Sequence, residues 1–214
     1  MSYKAVIFDF GGVFTTSPVE KFADFERANN LPDRFLGGVI KQNHHTNAWA
    51  QFERSQIGLD EFNVLFAAET KAAGHEVSGR TLISLLTLEL KPEMISAFDK
   101  IRAAGFKTGC ITNNLPGGNS TAMLDDDAPR QEALRVLAAF DHVIESSKAG
   151  IRKPEPRIYE MMCEALDLAP CECIFIDDLG INLKPAKAMG MATVKAPFGD
   201  VSPAITALFE LLGL

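Results

Sequence analysis

The stretch Lys4-Ala5-Val6-Ile7-Phe8-Asp9-Phe10-Gly11-Gly12-Val13 constrains the chain more than any other. Ala5 to Phe8 is a short, unbroken apolar run closed by glycines, and it predicts a fully buried strand ending in a tight turn. Asp9 then stands at the carboxyl end of that strand, on the edge where open α/β sheets bind their ligands.

Three more strands are predicted at 108–112, 173–177 and 192–194, with a shorter one at 142–145. They alternate with helical patterns at 94–104, 158–168, 183–189 and 201–212, the first three stopped by Gly105, Pro170 and Gly190. Such alternation implies right-handed crossover units and a parallel sheet, an α/β fold.

Residues 17–90 read differently, with helical periodicity at 19–28, 33–41, 48–54, 60–73 and 81–86 and no convincing strand. Asp60 is expected to cap its helix after Gly58, and Gly74 to stop it. Trp49, Phe52, Phe62 and Phe66 recur at helical spacings and are expected to form this block's own core. The block reads as an all-helical cap domain inserted into a core made of 1–16 and 91–214, with Pro92 marking the return. Residues 115–129 are rich in Gly, Asn, Ser and Asp and predict an exposed loop.

Composition narrows the partners. A formal net charge of -7 argues against nucleic acid or an anionic membrane. No apolar run approaches a membrane span and the N-terminus carries no export signal, so a cytoplasmic protein is expected. Cys110, Cys163, Cys171 and Cys173 form neither a disulfide framework nor a zinc pattern, and Cys110 and Cys173 are expected to be buried small hydrophobes. His44, His45, His75 and His142 lack partners at metal-ligand spacing.

Four polar sites fall at predicted strand ends: Asp9, Thr112-Asn113-Asn114, Asp177-Asp178, and Lys153 just after the short strand. Taken singly, each has a duller reading as a turn former, a helix cap or a surface lysine. Taken together on one sheet edge, they make a phosphoryl-transfer centre. Carboxylates from separate strands can hold Mg²⁺, which favours a few carboxylates together with water and phosphate oxygens. Lys153 would neutralise a phosphate dianion, Thr112 would hydrogen-bond it, and Asp9 would attack phosphorus in line.

The order Asp9, Thr112-Asn113, Lys153, Asp177-Asp178 resembles the motif order of the haloacid dehalogenase (HAD) superfamily, over nearly the whole chain. Phe140 to Ser146, Lys153 to Tyr159 and Phe175 to Ala186 look closest to one branch. It comprises the N-terminal phosphatase domain of soluble epoxide hydrolase and the HAD domain of some acyl-CoA dehydrogenase family proteins. The resemblance implies a Rossmann-like core with a helical cap inserted after the first motif. It assigns Asp9 as nucleophile and metal ligand, Gly11 as a ligand through its carbonyl, and Asp178 as the direct ligand with Asp177 in support. Thr112, Asn113 and Lys153 would bind the phosphoryl group, and the substrate would be a small phosphorylated metabolite.

One position departs from that pattern. Phosphatases of the superfamily carry a second aspartate two residues after the first, which protonates the leaving oxygen and then activates water. Here Gly11 occupies that place and can do neither. Dehalogenases of the superfamily also lack this aspartate but use no metal, and the retained Asp177-Asp178 pair argues against that chemistry. The readings left open are a Mg²⁺-dependent phosphatase, a degenerate domain that binds a phosphorylated ligand or a protein partner, and a hydrolase of another bond.

Overall fold

The structure, a computed structural model, describes residues 3–86, 89–115 and 127–214. Strand β1 (Ala5–Phe8) leads into the helices α1 (Pro18–Ala28), α2 (Phe35–Lys41), α3 (Ala48–Glu53), α4 (Leu59–Ala72) and α5 (Gly79–Ser84). The chain then alternates through α6 (Pro92–Ala103), β2 (Lys107–Thr112), α7 (Asp127–Ala139), β3 (His142–Glu145), α8 (Ser146–Ala149) and α9 (Pro156–Leu166). It finishes with β4 (Cys173–Asp177), α10 (Gly180–Ala188), β5 (Ala192–Lys195) and α11 (Ser202–Leu212). The strands form one parallel sheet in the order β3-β2-β1-β4-β5.

The apolar run of β1 is explained by its central place. Side chains alternate across a strand, so Val6 and Phe8 enter one buried layer while Ala5 and Ile7 enter the other. On the first side, Phe8, Phe14, Phe98 and Phe140 pack ring against ring at centroid distances of 4.5–5.8 Å. On the second, Ile7, Ile111 and Phe175 meet Ile158, Tyr159 and Met162 of α9.

Gly109, in the middle of β2, is required by that second layer. A Cβ there would lie 2.5 Å from Met162 Sδ. Overpacking of this kind costs about 1–3 kcal/mol, so Gly109→Ala is expected to lower stability by that amount in denaturant melts. The methionine can give way, which keeps the loss at the low end unless Met162 is replaced by a stiffer residue.

Helices α1 to α5 enclose a third apolar cluster, which includes Phe22, Leu36, Phe52, Phe62, Phe66 and Leu82. Phe52 and Phe62 stack at 4.5 Å, and Trp49 packs partly buried against this cluster, as the helical spacing predicts. An antiparallel bridge between Thr15 and Leu90 closes the base of the block where the chain leaves and re-enters the sheet.

Two local expectations are corrected. Gly58, not Asp60, is the N-cap of α4. Asp60 lies in the first turn, where its charge suits the helix dipole and pairs with Arg80. Residues 127–129, read as loop, open α7, while 116–126 of that expected loop lie outside the described residues. A proline is tolerated in a first helical turn, so Pro129 does not stop the helix, and Ala133, Val136 and Phe140 drive it onto the sheet.

Candidate active site

The sheet brings the polar strand ends together. Asp9 N donates to Ile176 O at 2.9 Å, which extends the pairing of β1 with β4 by one residue and sets Asp9 beside Asp177. A positive φ of 77° at Gly12 then turns the chain away. A Cβ at Gly12 would lie 2.3 Å from Asp178 Oδ2, so only glycine lets the Asp178 carboxylate come so close to the turn.

Oxygens of Asp9, Asp177 and Asp178, all three buried, lie within 4.8 Å of one another. Lys153 is buried among them, with Nζ 2.8 Å from Asp9 Oδ1 and 2.8 Å from Asp177 Oδ2. Three carboxylates against one ammonium leave negative charge unbalanced in a dry place. The electrostatics follow. Burial pushes the Asp9 carboxyl well above the usual carboxylate range; Lys153 pulls it back, and Asp177 and Asp178 push it further up. Burial, then Asp177, lifts Asp178 to about 6. Burial disfavours the charged form of Lys153, but Asp177 and Asp9 together outweigh it and hold the ammonium above the usual lysine range.

Each carboxylate is differently committed. Asp177 is saturated: Leu179 N donates at 2.8 Å, Asn182 Nδ2 donates to both oxygens at 3.0 Å, and Lys153 takes Oδ2. Asn182 is itself fixed by the Tyr159 hydroxyl, which donates to its carbonyl at 2.7 Å. Asp178 Oδ2 accepts from the Ser17 hydroxyl at 2.9 Å. Phe10 N and Lys153 Nζ both bond Asp9 Oδ1, and no hydrogen bond among the described residues falls on Oδ2.

The other expected residues lie on the same sheet edge with distinct tasks. Thr112 is buried at the end of β2, next to β1. The Asn113 amide clamps Lys153, donating to its carbonyl at 3.0 Å and accepting from its N–H at 2.9 Å. Its side chain therefore positions the lysine, which leaves the backbone for any ligand. Gly11 lies half-buried in the turn, and nothing stands within 4 Å of a Cβ built on it. Ser17, Asn182 and Ser146 are supports that sequence reading missed, while Asn114, read at the end of the strand, accepts from Ser147 N and bonds Ser146 and Glu145. Of the three missed, Asn182 alone had a signal: an amide one helical turn beyond the aspartate pair.

The donor set fits a hard dication, because Mg²⁺ takes oxygen ligands and would offset the unbalanced charge. Asp9 and Asp178 would hold it, while Asp177 has its oxygens taken. A metal-free sample should report this stress. A carboxyl raised in the fold binds its proton more tightly than in the unfolded chain, so the Asp178 contribution to stability is greatest below about pH 4 and is lost as pH rises toward about 6. In chelator, the stability of wild type relative to Asp178→Asn is expected to fall by on the order of 2–3 kcal/mol between pH 4 and pH 6. Thermal melts of both proteins across that range check it; a constant difference contradicts the assignment of Asp178 as a strained carboxyl.

A parallel five-stranded sheet with a buried carboxylate–lysine cluster at its strand ends, and a helical block between its first two strands, defines a Rossmann-like α/β class. The chain belongs to the haloacid dehalogenase-like hydrolase family, whose model matches residues 3–190. It is 36% identical to mouse (Mus musculus) acyl-CoA dehydrogenase family member 10 over 99% of this chain and 19% of that protein. It is 30% identical to pig (Sus scrofa) bifunctional epoxide hydrolase 2 over 99% of this chain and 38% of that protein. The chain thus spans less than two fifths of either relative's length. A sesquiterpene phosphatase of Aspergillus oryzae is 29% identical over 89% of this chain and 88% of its own. Among solved structures, a HAD family enzyme of Bacteroides thetaiotaomicron in complex with magnesium and inorganic phosphate superposes with a TM-score of 0.60. That match covers 93% of this chain and 96% of the other at 20% identity, a likeness of fold. The motif resemblance read from the sequence, to this superfamily and to this branch of it, is borne out. Among the described residues, no helix is long and apolar enough to cross a membrane.

Proposed function

We propose that the chain is a Mg²⁺-dependent phosphatase that acts through an aspartyl phosphate on a small phosphorylated metabolite. The observation that carries this reading is the cluster of Asp9, Asp177 and Asp178 within 4.8 Å, bridged by buried Lys153. Phosphoryl transfer is catalysed chiefly by positioning and charge stabilisation, and this cluster supplies both. Phosphatases among the relatives and the magnesium- and phosphate-bound neighbour of like fold favour it further.

In this reading, Asp9 Oδ2 attacks phosphorus while Lys153, the Thr112 hydroxyl and the backbone N–H at Asn113 hold the phosphoryl oxygens. The P–O bond to the leaving group breaks as the Asp9–phosphorus bond forms. Water then displaces Asp9 and releases inorganic phosphate. Asp9, Asp178 and the Gly11 carbonyl would hold Mg²⁺, which supplies charge neutralisation at the phosphoryl group. Gly11 offers no proton to the leaving oxygen, so substrates with good leaving groups are favoured. Residues 17–90 serve as the cap over this site, and the core is built from 1–16 and 91–214.

The missing side chain at Gly11 also favours a second reading, a domain that binds a phosphorylated ligand without turning it over. Phosphate release from an aryl phosphate, with Mg²⁺ and with chelator, separates the two. Metal-dependent release that Asp9→Asn abolishes supports the enzyme. Phosphate binding with no release in the wild type, and release in Gly11→Asp, supports the binding domain. Halide release from a haloacid without metal would overturn both.

A further inference from the structure

Lys153 has one neighbourhood that the chemistry above does not use. The residues on either side of the Lys153-Pro154 pair, Arg152 and Glu155, both reach out to the end of α3. Arg54 Nε and Nη2 donate to Glu155 Oε1 at 3.0 and 2.6 Å. Arg152 Nη2 lies 2.5 Å from Glu53 Oε2, an ion pair that is not aligned as a hydrogen bond. Arg152 Nη1 donates to His44 O at 2.8 Å. The contact continues through backbone: the Ser55 hydroxyl donates to Ser147 O at 2.8 Å, and the Ser146 hydroxyl to Glu53 O at 2.9 Å.

We infer that Glu53 and Arg54 are positioning residues that fix Lys153 through Arg152 and Glu155, so that docking of the helical block sets the phosphate-binding lysine in place. Lys153 is then held from two sides, by the Asn113 amide from the sheet and by α3 from the block. The charge order makes the docking specific. Glu53 faces Arg152 and Arg54 faces Glu155, and exchanging the partners would set carboxylate against carboxylate and guanidinium against guanidinium. Buried ion pairs give little net stability over apolar packing, but losing one partner strands the other charge, so the array enforces one arrangement. The side chains of Arg54, Arg152 and Glu53 are at most 10% exposed, which places those three charges in that costly regime.

The test reads Lys153 directly. Limited acylation with acetic anhydride, followed by peptide mass mapping, gives the labelling of Lys153 relative to exposed Lys71. It is run on wild type, Arg54→Gln, Arg54→Lys, Glu155→Gln and the reversal Arg54→Glu/Glu155→Arg, with Arg27→Gln as a surface control. Relative labelling is expected to rise about five- to thirtyfold in Arg54→Gln and Glu155→Gln, and to return toward wild type in the reversal. Affinity for inorganic phosphate should fall by a similar factor and recover with it. Unchanged Lys153 labelling alongside faster amide exchange in α3 would overturn the inference, since the pairs would then dock the block without placing the lysine. If Arg54→Gln does not fold, Arg54→Lys and Glu155→Gln carry the same comparison. The phosphate measurement rests on the phosphoryl-transfer reading; the labelling does not. A wild type that binds no phosphate would refute that reading and leave the positioning question still answered by Lys153.

Discussion

Asp9→Asn is expected to abolish turnover and, in metal-free protein, to raise stability. The asparagine keeps the shape of the side chain and an oxygen for Lys153, but it cannot form an acyl phosphate. Losing the nucleophile of a covalent mechanism removes on the order of 10⁴-fold or more of the rate. The stability change runs the other way because burial already disfavours the Asp9 charge, with Asp177 and Asp178 adding repulsion. Sites built for reaction are commonly strained in this sense. Phosphate release and melting temperature, measured in chelator and in Mg²⁺, report both effects. An Asp9→Asn protein that still hydrolyses an aryl phosphate would remove Asp9 from the mechanism.

Under the proposed phosphatase reading, Gly11→Asp is expected to widen the range of leaving groups the site accepts. Nothing lies within 4 Å of a Cβ at this position, so the aspartate fits without rebuilding the turn. A positioned general acid–base contributes about 10²–10⁴-fold. The gain is expected on alkyl phosphates, whose alkoxide needs a proton. It should be at most about tenfold on aryl phosphates, whose phenolate leaves unaided. Comparing kcat/KM for one substrate of each kind in the two proteins decides the matter. Equal gains, or none, would mean that leaving-group protonation does not limit the native site.

The fold was legible because its governing signals are local. Ala5–Phe8 and Cys173 to Ile176 are apolar without alternation, and parallel strands covered on both faces produce that pattern. Helix α7 was not read at all: Pro129 looks like a breaker at the end of a polar stretch, and no helical pattern was assigned after it. Its apolar spacing, Ala133, Val136 and Phe140, becomes meaningful only against the ring cluster of Phe8, Phe14 and Phe98. Asp60 shows the same limit on a smaller scale, since an acidic residue near a helix start serves equally as a cap or in the first turn.

At the site, Asp9, Thr112, Lys153 and Asp177-Asp178 could be gathered from sequence because parallel strands deliver their ends to one edge. What holds them could not. Ser17 bonds Asp178 across 161 residues, and Arg54 bonds Glu155 across 101. Such pairings depend on where the helical block sits, and periodicity carries no record of that. Asn113 was read as binding the phosphoryl group; its side-chain amide bonds the Lys153 backbone, so only its backbone N–H is left for that role. The residue was found and its partner was not.

The sheet order has a consequence for how this chain is made. Strand β1 emerges first from the ribosome, but it lies in the middle of the sheet, and its neighbours begin at Lys107 and Cys173. At about 5–20 residues per second, its second edge stays unpaired for roughly 8–35 s of synthesis. Throughout that wait, Ala5–Phe8 is an uncharged apolar strand with at least one open edge, a template for wrong pairing. Helices α1 to α5 follow it at once and carry their own core, so they can collapse while the strand waits. The placement that sets Asp9 beside Asp177 in the middle of the sheet also leaves its own strand half-paired until Cys173–Asp177 has been made.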